Sequence, residues 1–305
     1  MGLLAGTLYD PATADVTSGD TTALKAMTAL DTTNLRLTFT VPANGSVLVR
    51  IRCTVHGATT FPMILLGCLE GTTLRGRVVP MGALKTTGVA TAQLTQEALY
   101  VVSGLTAGAS LTWDAAYGVE VLKAATAIKW GGPDNTTTND AFGGFAFEIW
   151  DTPNLLGAVL YDPTGGAVVQ KATSGTPTVQ TALDTTNLRI TFTAPNSGNV
   201  LVRLKCGLNG ATTFPTITLG VMEGATVKGR QSPVGGILGT AVATTNVGHE
   251  ASFLVKGLTA GSHNYDASYG VEIVLAATNI NYGGPNNGTV ANDAGGGFGF
   301  EIWAV

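Results

Sequence analysis

The feature that most constrains this chain is a segment written twice. Leu30-Asp31-Thr32-Thr33-Asn34-Leu35-Arg36-Leu37-Thr38-Phe39-Thr40 returns as Leu183-Asp184-Thr185-Thr186-Asn187-Leu188-Arg189-Ile190-Thr191-Phe192-Thr193, identical at ten of eleven positions. Further matches follow in the same order. Gly57-Ala58-Thr59-Thr60-Phe61-Pro62 recurs unchanged at 210–215, Gly104-Leu105-Thr106-Ala107-Gly108 at 257–261, and the closing Phe145-Ala146-Phe147-Glu148-Ile149-Trp150 as Phe298-Gly299-Phe300-Glu301-Ile302-Trp303. The 305 residues therefore divide into two tandem domains, 1–152 and 153–305, each long enough to bury its own core. The linker Asp151-Thr152-Pro153-Asn154 is too short to let the domains separate far.

Within each copy the apolar residues alternate. Leu35, Leu37 and Phe39 interleave with Arg36, Thr38 and Thr40; Val49, Ile51 and Cys53 interleave with Arg50 and Arg52; Phe145, Phe147 and Ile149 interleave with Ala146, Glu148 and Trp150. A period of two is the mark of strands with one buried face. Turn residues punctuate them: Asp10-Pro11 and Asp162-Pro163 stop the first strand, and Pro42-Ala43-Asn44-Gly45 is matched by Pro195-Asn196-Ser197-Gly198. The polar stretch after the first strand reads as loop or weak edge strand. The Gly-, Ala- and Thr-rich stretches 82–94 and 235–247 read as strand with a mobile loop. Copy two is one residue shorter after Gly261 than copy one after Gly108. Because a deletion inside a paired strand would exchange its faces, the change belongs in the turn. Many short strands, no sustained helical period and copies of about 150 residues predict an all-β fold of two tandem jelly-roll-like β-sandwich domains.

Composition excludes several classes. Hydrophobic residues make up 45% and charged residues 12%, with the balance in Thr, Ala, Asn and 41 Gly rather than in an apolar run long enough to span a membrane. Met1-Gly2-Leu3-Leu4-Ala5-Gly6 has no basic n-region and no myristoylation pattern. The net charge of −4, with no basic block, argues against nucleic acid as a partner. So sparse a charge suits burial in an assembly.

The duplication also serves as an internal comparison for chemistry. His56 is matched by Asn209, His249 by Gln96, and His263 lies at the deletion, so no histidine is shared. Cys53 matches Cys206, while Cys68 is matched by Val221, which reads as reduced thiols in the core. The retained acids are Asp31/Asp184, Glu70/Glu223, Glu97/Glu250, Asp114/Asp266, Glu120/Glu272, Asp140/Asp293 and Glu148/Glu301. Carboxylate pairs hydrolyse glycosides when held roughly 5–10 Å apart. The plainer expectation is turn capping, or pairing with Arg36/Arg189, Arg50/Arg203 and Arg77/Arg230. The oxygen-rich loops 134–140 and 286–293 suit either calcium or Asx turns, although Asp134 becomes Asn286 in copy two. The shared aromatics Trp150/Trp303, Tyr117/Tyr269, Trp130/Tyr282 and Trp113/Tyr265 suit a glycan platform or, more simply, core and interface.

The Gly-Leu-Thr-Ala-Gly-Ser-His segment at 257–263, the Tyr-Gly-Val-Glu strand after it and the closing Phe-x-Phe-Glu-Ile-Trp strand resemble small jelly-roll modules of tailed-phage virion proteins. Those modules are similar in outline to tumour-necrosis-factor-like trimers. The resemblance implies a non-enzymatic virion structural protein, of the capsid decoration type, on the outer surface of a phage head. It implies a homotrimer whose partners are the major capsid protein or other virion proteins, with no nucleic acid or membrane partner. No catalytic, cofactor-binding or metal residues are carried over from that family. The alternative is a glycan- or receptor-binding module of a phage tail or fibre, which predicts an exposed aromatic cluster. A carbohydrate-active enzyme working through Glu148 or Glu301 is a third expectation. A double jelly-roll major capsid protein is disfavoured, because long insertions and a basic interior surface are lacking.

Overall fold

The computed structural model describes residues 1–10, 16–18, 27–57, 64–81, 93–119, 128–130, 143–162, 169–172, 179–210, 217–235, 246–271, 279–282 and 297–305. Among these there is no helix. Copy one contributes β1 (Leu3–Tyr9), β2 (Val16–Ser18), β3 (Thr28–Ala29), β4 (Arg36–Thr40), β5 (Val47–Gly57), β6 (Ile64–Glu70), β7 (Thr73–Val78), β8 (Gln93–Val102), β9 (Ser110–Val119), β10 (Ile128–Trp130) and β11 (Phe145–Asp151). Copy two repeats them strand for strand as β12 (Leu155–Tyr161), β13 (Val169–Ala172), β14 (Thr181–Ala182), β15 (Arg189–Thr193), β16 (Val200–Gly210), β17 (Ile217–Glu223), β18 (Thr226–Gln231), β19 (Asn246–Val255), β20 (Ser262–Val271), β21 (Asn279–Tyr282) and β22 (Phe298–Ala304).

Pairing is antiparallel throughout the first sheet. β8 runs along one side of β5, and β11 and β10 share the other side end to end, followed by β1 and β2. Each end-to-end pair acts as one long, interrupted strand. In the second sheet β9 is central, with β6 and then β7 on one side and β3 and β4 on the other. Lettered A to H in chain order, the columns run A-H-C-F in one sheet and B-G-D-E in the other. That order is a jelly roll, and copy two has the same one. The chain is thus all-β, two tandem jelly-roll sandwiches built by internal duplication.

The alternating residues fill the two cores. Leu35, Leu37 and Phe39 are buried between exposed neighbours, as are Leu188, Ile190 and Phe192. Val47, Val49, Ile51, Cys53 and Val55 face the same core from β5. Phe39 meets Trp113 edge-on at 4.9 Å, and Phe192 meets Tyr265 at 5.1 Å, so the Trp-to-Tyr exchange preserves the packing. All three cysteines are free and buried. Burial pushes the Cys53 and Cys68 thiols up to about 12, which makes them inert packing groups.

Ser110 lies opposite Thr40 and Ser262 opposite Thr193, so the deletion falls in the preceding turn and the register of β9 and β20 is kept. Gly261 absorbs it at φ +127°, a conformation closed to most side chains. The stretch after the first strand forms the short β2 and β13 at the sheet edge. Stretches 82–92 and 236–245, the loops 134–140 and 286–293, and Glu120, Glu272, Asp140 and Asp293 lie outside the described residues.

The linker is a pinned turn. The Asn44 side-chain amide donates to the Thr152 carbonyl at 2.7 Å, the Thr152 hydroxyl donates to the Ser46 carbonyl at 3.0 Å, and the Leu155 amide closes the turn onto Thr152 at 3.1 Å.

Candidate interaction surface

The retained acids resolve into caps and pairs. Asp31 accepts from the Thr33 and Asn34 amides at 2.7 and 2.8 Å, and Asp184 repeats the same turn on Thr186 and Asn187 at 2.8 and 2.9 Å. Arg36 grips Asp114 through two bonds at 2.6 and 2.9 Å, and Arg189 grips Asp266 with the same geometry. Glu70 is held by Arg75. Its counterpart Glu223 is held by Lys228 at 2.7 Å and by His263 at 2.9 Å. The Lys228 bond is the main cause that keeps the Glu223 carboxyl below its ordinary range.

Glu97 on β8 and Glu148 on β11, from the two sides of β5, converge on one guanidinium. Arg50 donates to Glu97 at 3.0 Å and to Glu148 at 3.4 Å, and the Trp150 indole N–H donates to Glu148 at 2.9 Å. In copy two Arg203 faces Glu250 at 3.5 Å and Glu301 at 3.3 Å, and the Trp303 indole donates to Glu301 at 3.0 Å. This copy adds Lys205, 3.3 Å from Glu250, where copy one has Arg52. Burial pushes the Lys205 ammonium down to about 8; Arg203 adds to the shift, and Glu250 and Glu301 oppose it. Among the described residues no three His, Cys, Asp or Glu side chains group closely enough to hold a metal ion.

The aromatics named as platform candidates are mostly interior. Trp113, Tyr265, Trp130, Tyr117 and Tyr269 are buried in the cores. Trp303 is buried between the copies with Leu48 and Val101, and Trp150 lies partly buried against that cluster.

What covers Trp303 is the other copy. The edge of copy one formed by β7 and β8 sits on the outer face of copy two's A-H-C-F sheet. At the centre is Arg77, 1% exposed, which donates to Asp162 at 2.7 and 3.2 Å. The Arg77 carbonyl accepts from the Gly297 amide at 3.2 Å. Leu160 reaches back toward Gly76 and packs on the core of copy one. Gly248 admits the Pro80 carbonyl; a Cβ there would lie 2.5 Å from that oxygen. A buried Arg–carboxylate pair needs good geometry to offset desolvation, and this one is bidentate and anchors the contact.

Among the described residues, nothing of copy two rests on the same face of copy one. That face forms a groove of about 590 Å³ lined by Leu3, Gly6, Leu8, Arg50, Arg52, Thr95, Gly144 and Glu148. Seven of these have copy-two counterparts on the covered sheet face: Leu155, Ala158, Leu160, Lys205, Gly248, Gly297 and Glu301. Sequence reading missed the Asp162–Arg77 pair. The signal was present, since Asp10 and Asp162 are retained in both copies, but Asp-Pro reads first as a strand stop.

No protein-family model matches the chain, and no curated protein does. Among solved structures it is similar to the CBM22-1–CBM22-2 tandem domain of Xyn10C from Paenibacillus barcinonensis, at 12% identity over 99% of this chain and 98% of that one, with a TM-score of 0.25. The infectious bursal disease virus VP2 subviral particle matches at 7% identity over 96% of this chain and 82% of that one, with a TM-score of 0.26. The plant receptor-like kinase ANX2 matches at 8% identity over 96% and 89%, with a TM-score of 0.21. At these scores none of them bears on what this chain binds.

Proposed function

We propose that the chain is a non-enzymatic structural protein of a virion, a decoration protein that binds the outer surface of a tailed-phage head as a trimer, with the major capsid protein as partner. The observation that carries this reading is the joining of two jelly rolls into one unit through the buried Arg77–Asp162 pair and the Trp303 cluster, while an equivalent face is left open. A chain of that design is a building block: its retained charges hold lobes together. The described carboxylates support the reading, because Asp31, Asp114, Glu70 and Glu148 each cap a turn or pair with a cation. The low content of charged residues, 12%, suits a protein packed against neighbours.

The test is the copy number of this protein in purified particles, by quantitative mass spectrometry against the major capsid protein. The expected result is a stoichiometry on the scale of capsomers. A few copies per particle would transfer the role to a tail or fibre. Absence from particles would overturn the virion reading.

A further inference from the structure

The covered face of copy two and the open face of copy one are the same surface in two states. The covered state shows what fits: an edge of β7 and β8 type, with a glycine–arginine pair at its centre. The chain carries one more such edge, on β18 and β19 of copy two. There Gly229 and Arg230 stand where Gly76 and Arg77 stand in copy one. Arg77 is buried and Arg230 is exposed. Beside it Leu254 is 52% exposed, where its counterpart Val101 is buried between the copies. Across on copy one, Leu8 is 69% exposed where Leu160 is packed, and Asp10 is exposed where Asp162 receives the arginine.

We infer that chains associate head to tail by repeating their own internal contact: the β18–β19 edge of one chain docks on the open A-H-C-F face of copy one in the next, with Arg230 reaching Asp10 and Leu254 and Leu8 buried. Charge complementarity and continuity with the internal interface both name a second copy of this chain as the occupant. Such a contact is heterologous, and it closes into a ring when its rotation permits. The contact does not depend on the virion role.

It is weaker than the internal one, for reasons visible in the residues. Val78 and Val79 become Gln231 and Ser232, Leu99 becomes Ser252, and Thr95 occupies the position where Gly248 admits a carbonyl. A more polar, less close contact is the signature of reversible assembly.

The experiment is sedimentation velocity on the full chain across roughly 1–100 μM, the upper end of the affinity range for such interfaces. The wild type is expected to form a discrete species of several chains. Arg230→Glu and Asp10→Lys are each expected to weaken association by at least about 30-fold, since each sets like charges together at the contact. An equimolar mixture of the two variants is expected to associate again, because one retains Asp10 and the other retains Arg230. Thr95→Gly is expected to strengthen association, and Thr191→Ala, on the other sheet of copy two, to leave it unchanged. A wild type that stays a 31.1 kDa monomer throughout would overturn the inference, while leaving copy number in particles to judge the virion role. Single variants that associate like the wild type, or a mixture that fails to recover, would overturn it as well.

Discussion

The closing strands of the two copies, Phe145-Ala146-Phe147-Glu148-Ile149-Trp150 and Phe298-Gly299-Phe300-Glu301-Ile302-Trp303, differ at one of these six positions. Yet the first alternates between buried and half-buried, and the second is buried throughout. The inward faces are alike because each fills its own sandwich. The outward faces part company because, among the described residues, only copy two has the other copy on its A-H-C-F sheet. The same contrast runs along β5 and β16, where Arg52 is exposed and Lys205 is buried. It also runs along β7 and β18, where Arg77 and Arg230 carry the same chemistry in opposite surroundings. Duplication followed by asymmetric docking gives one sequence pattern two solvation states. Lys205 is shifted by its burial on the outward face of copy two.

The comparison breaks hardest at the inter-copy ion pair. Arg77→Ala or Asp162→Ala breaks the buried bidentate pair. Each is expected to cost about 3–5 kcal/mol in urea unfolding, more than Arg230→Ala, whose side chain is exposed. Equal losses at Arg77 and Arg230 would contradict the asymmetry.

The tryptophans come next. Trp303→Ala is expected to lose about 3 kcal/mol, and Trp150→Ala clearly less, since only Trp303 is fully covered. Chemical denaturation of both variants reads the difference.

Lys205 sharpens the comparison through pH. Its folded pKa, about 8, lies below the ordinary value of 10.5. Below pH 8 both states carry the proton, and burial of the charge is a constant penalty. Between about 8 and 10.5 only the unfolded chain holds it, so stability from this group rises with pH. Relative to Lys205→Met, the wild type is expected to gain roughly 1–3 kcal/mol between pH 7 and pH 10. The variant comparison matters because the buried thiols act in the opposite sense. Their raised pKa values contribute stability that is present at low pH and lost as pH climbs above about 9.

The smallest effect is expected at Cys68, whose counterpart is Val221. Cys68→Val is expected to change stability by less than about 1.5 kcal/mol. The part that is not volume comes from the Tyr100 hydroxyl, which lies 3.2 Å from the Cys68 sulfur and also donates to the Gly76 carbonyl. Thermal unfolding of Cys68→Val and Val221→Cys together separates the two contributions.

Much of this is legible in the residues alone. The alternation in Leu35-Arg36-Leu37-Thr38-Phe39 determined which face of β4 is buried, because a pleated strand sends successive side chains to opposite sides. The missing residue after Gly261 had to fall in a turn, because a slip within β20 would have brought Asn264 and Asp266 into the core. The exchange of Cys68 for Val221 already named a buried hydrophobe. Pairing of Arg36 with Asp114 was one of several possible partnerships, and only the register of β4 against β9 selected it. The fate of the outward faces was not in the pattern at all. Period-two alternation records a residue's side relative to its own sheet and carries nothing about a second body resting on the other side. Arg77 and Arg230, or Leu160 and Leu8, are therefore equivalent in sequence. What separates them is that Leu160 on β12 and Asp162 just after it, 85 residues on from Arg77, were brought there when one sandwich docked on the other. That placement depends on the shape and charge of two assembled surfaces, and tertiary structure alone decided it.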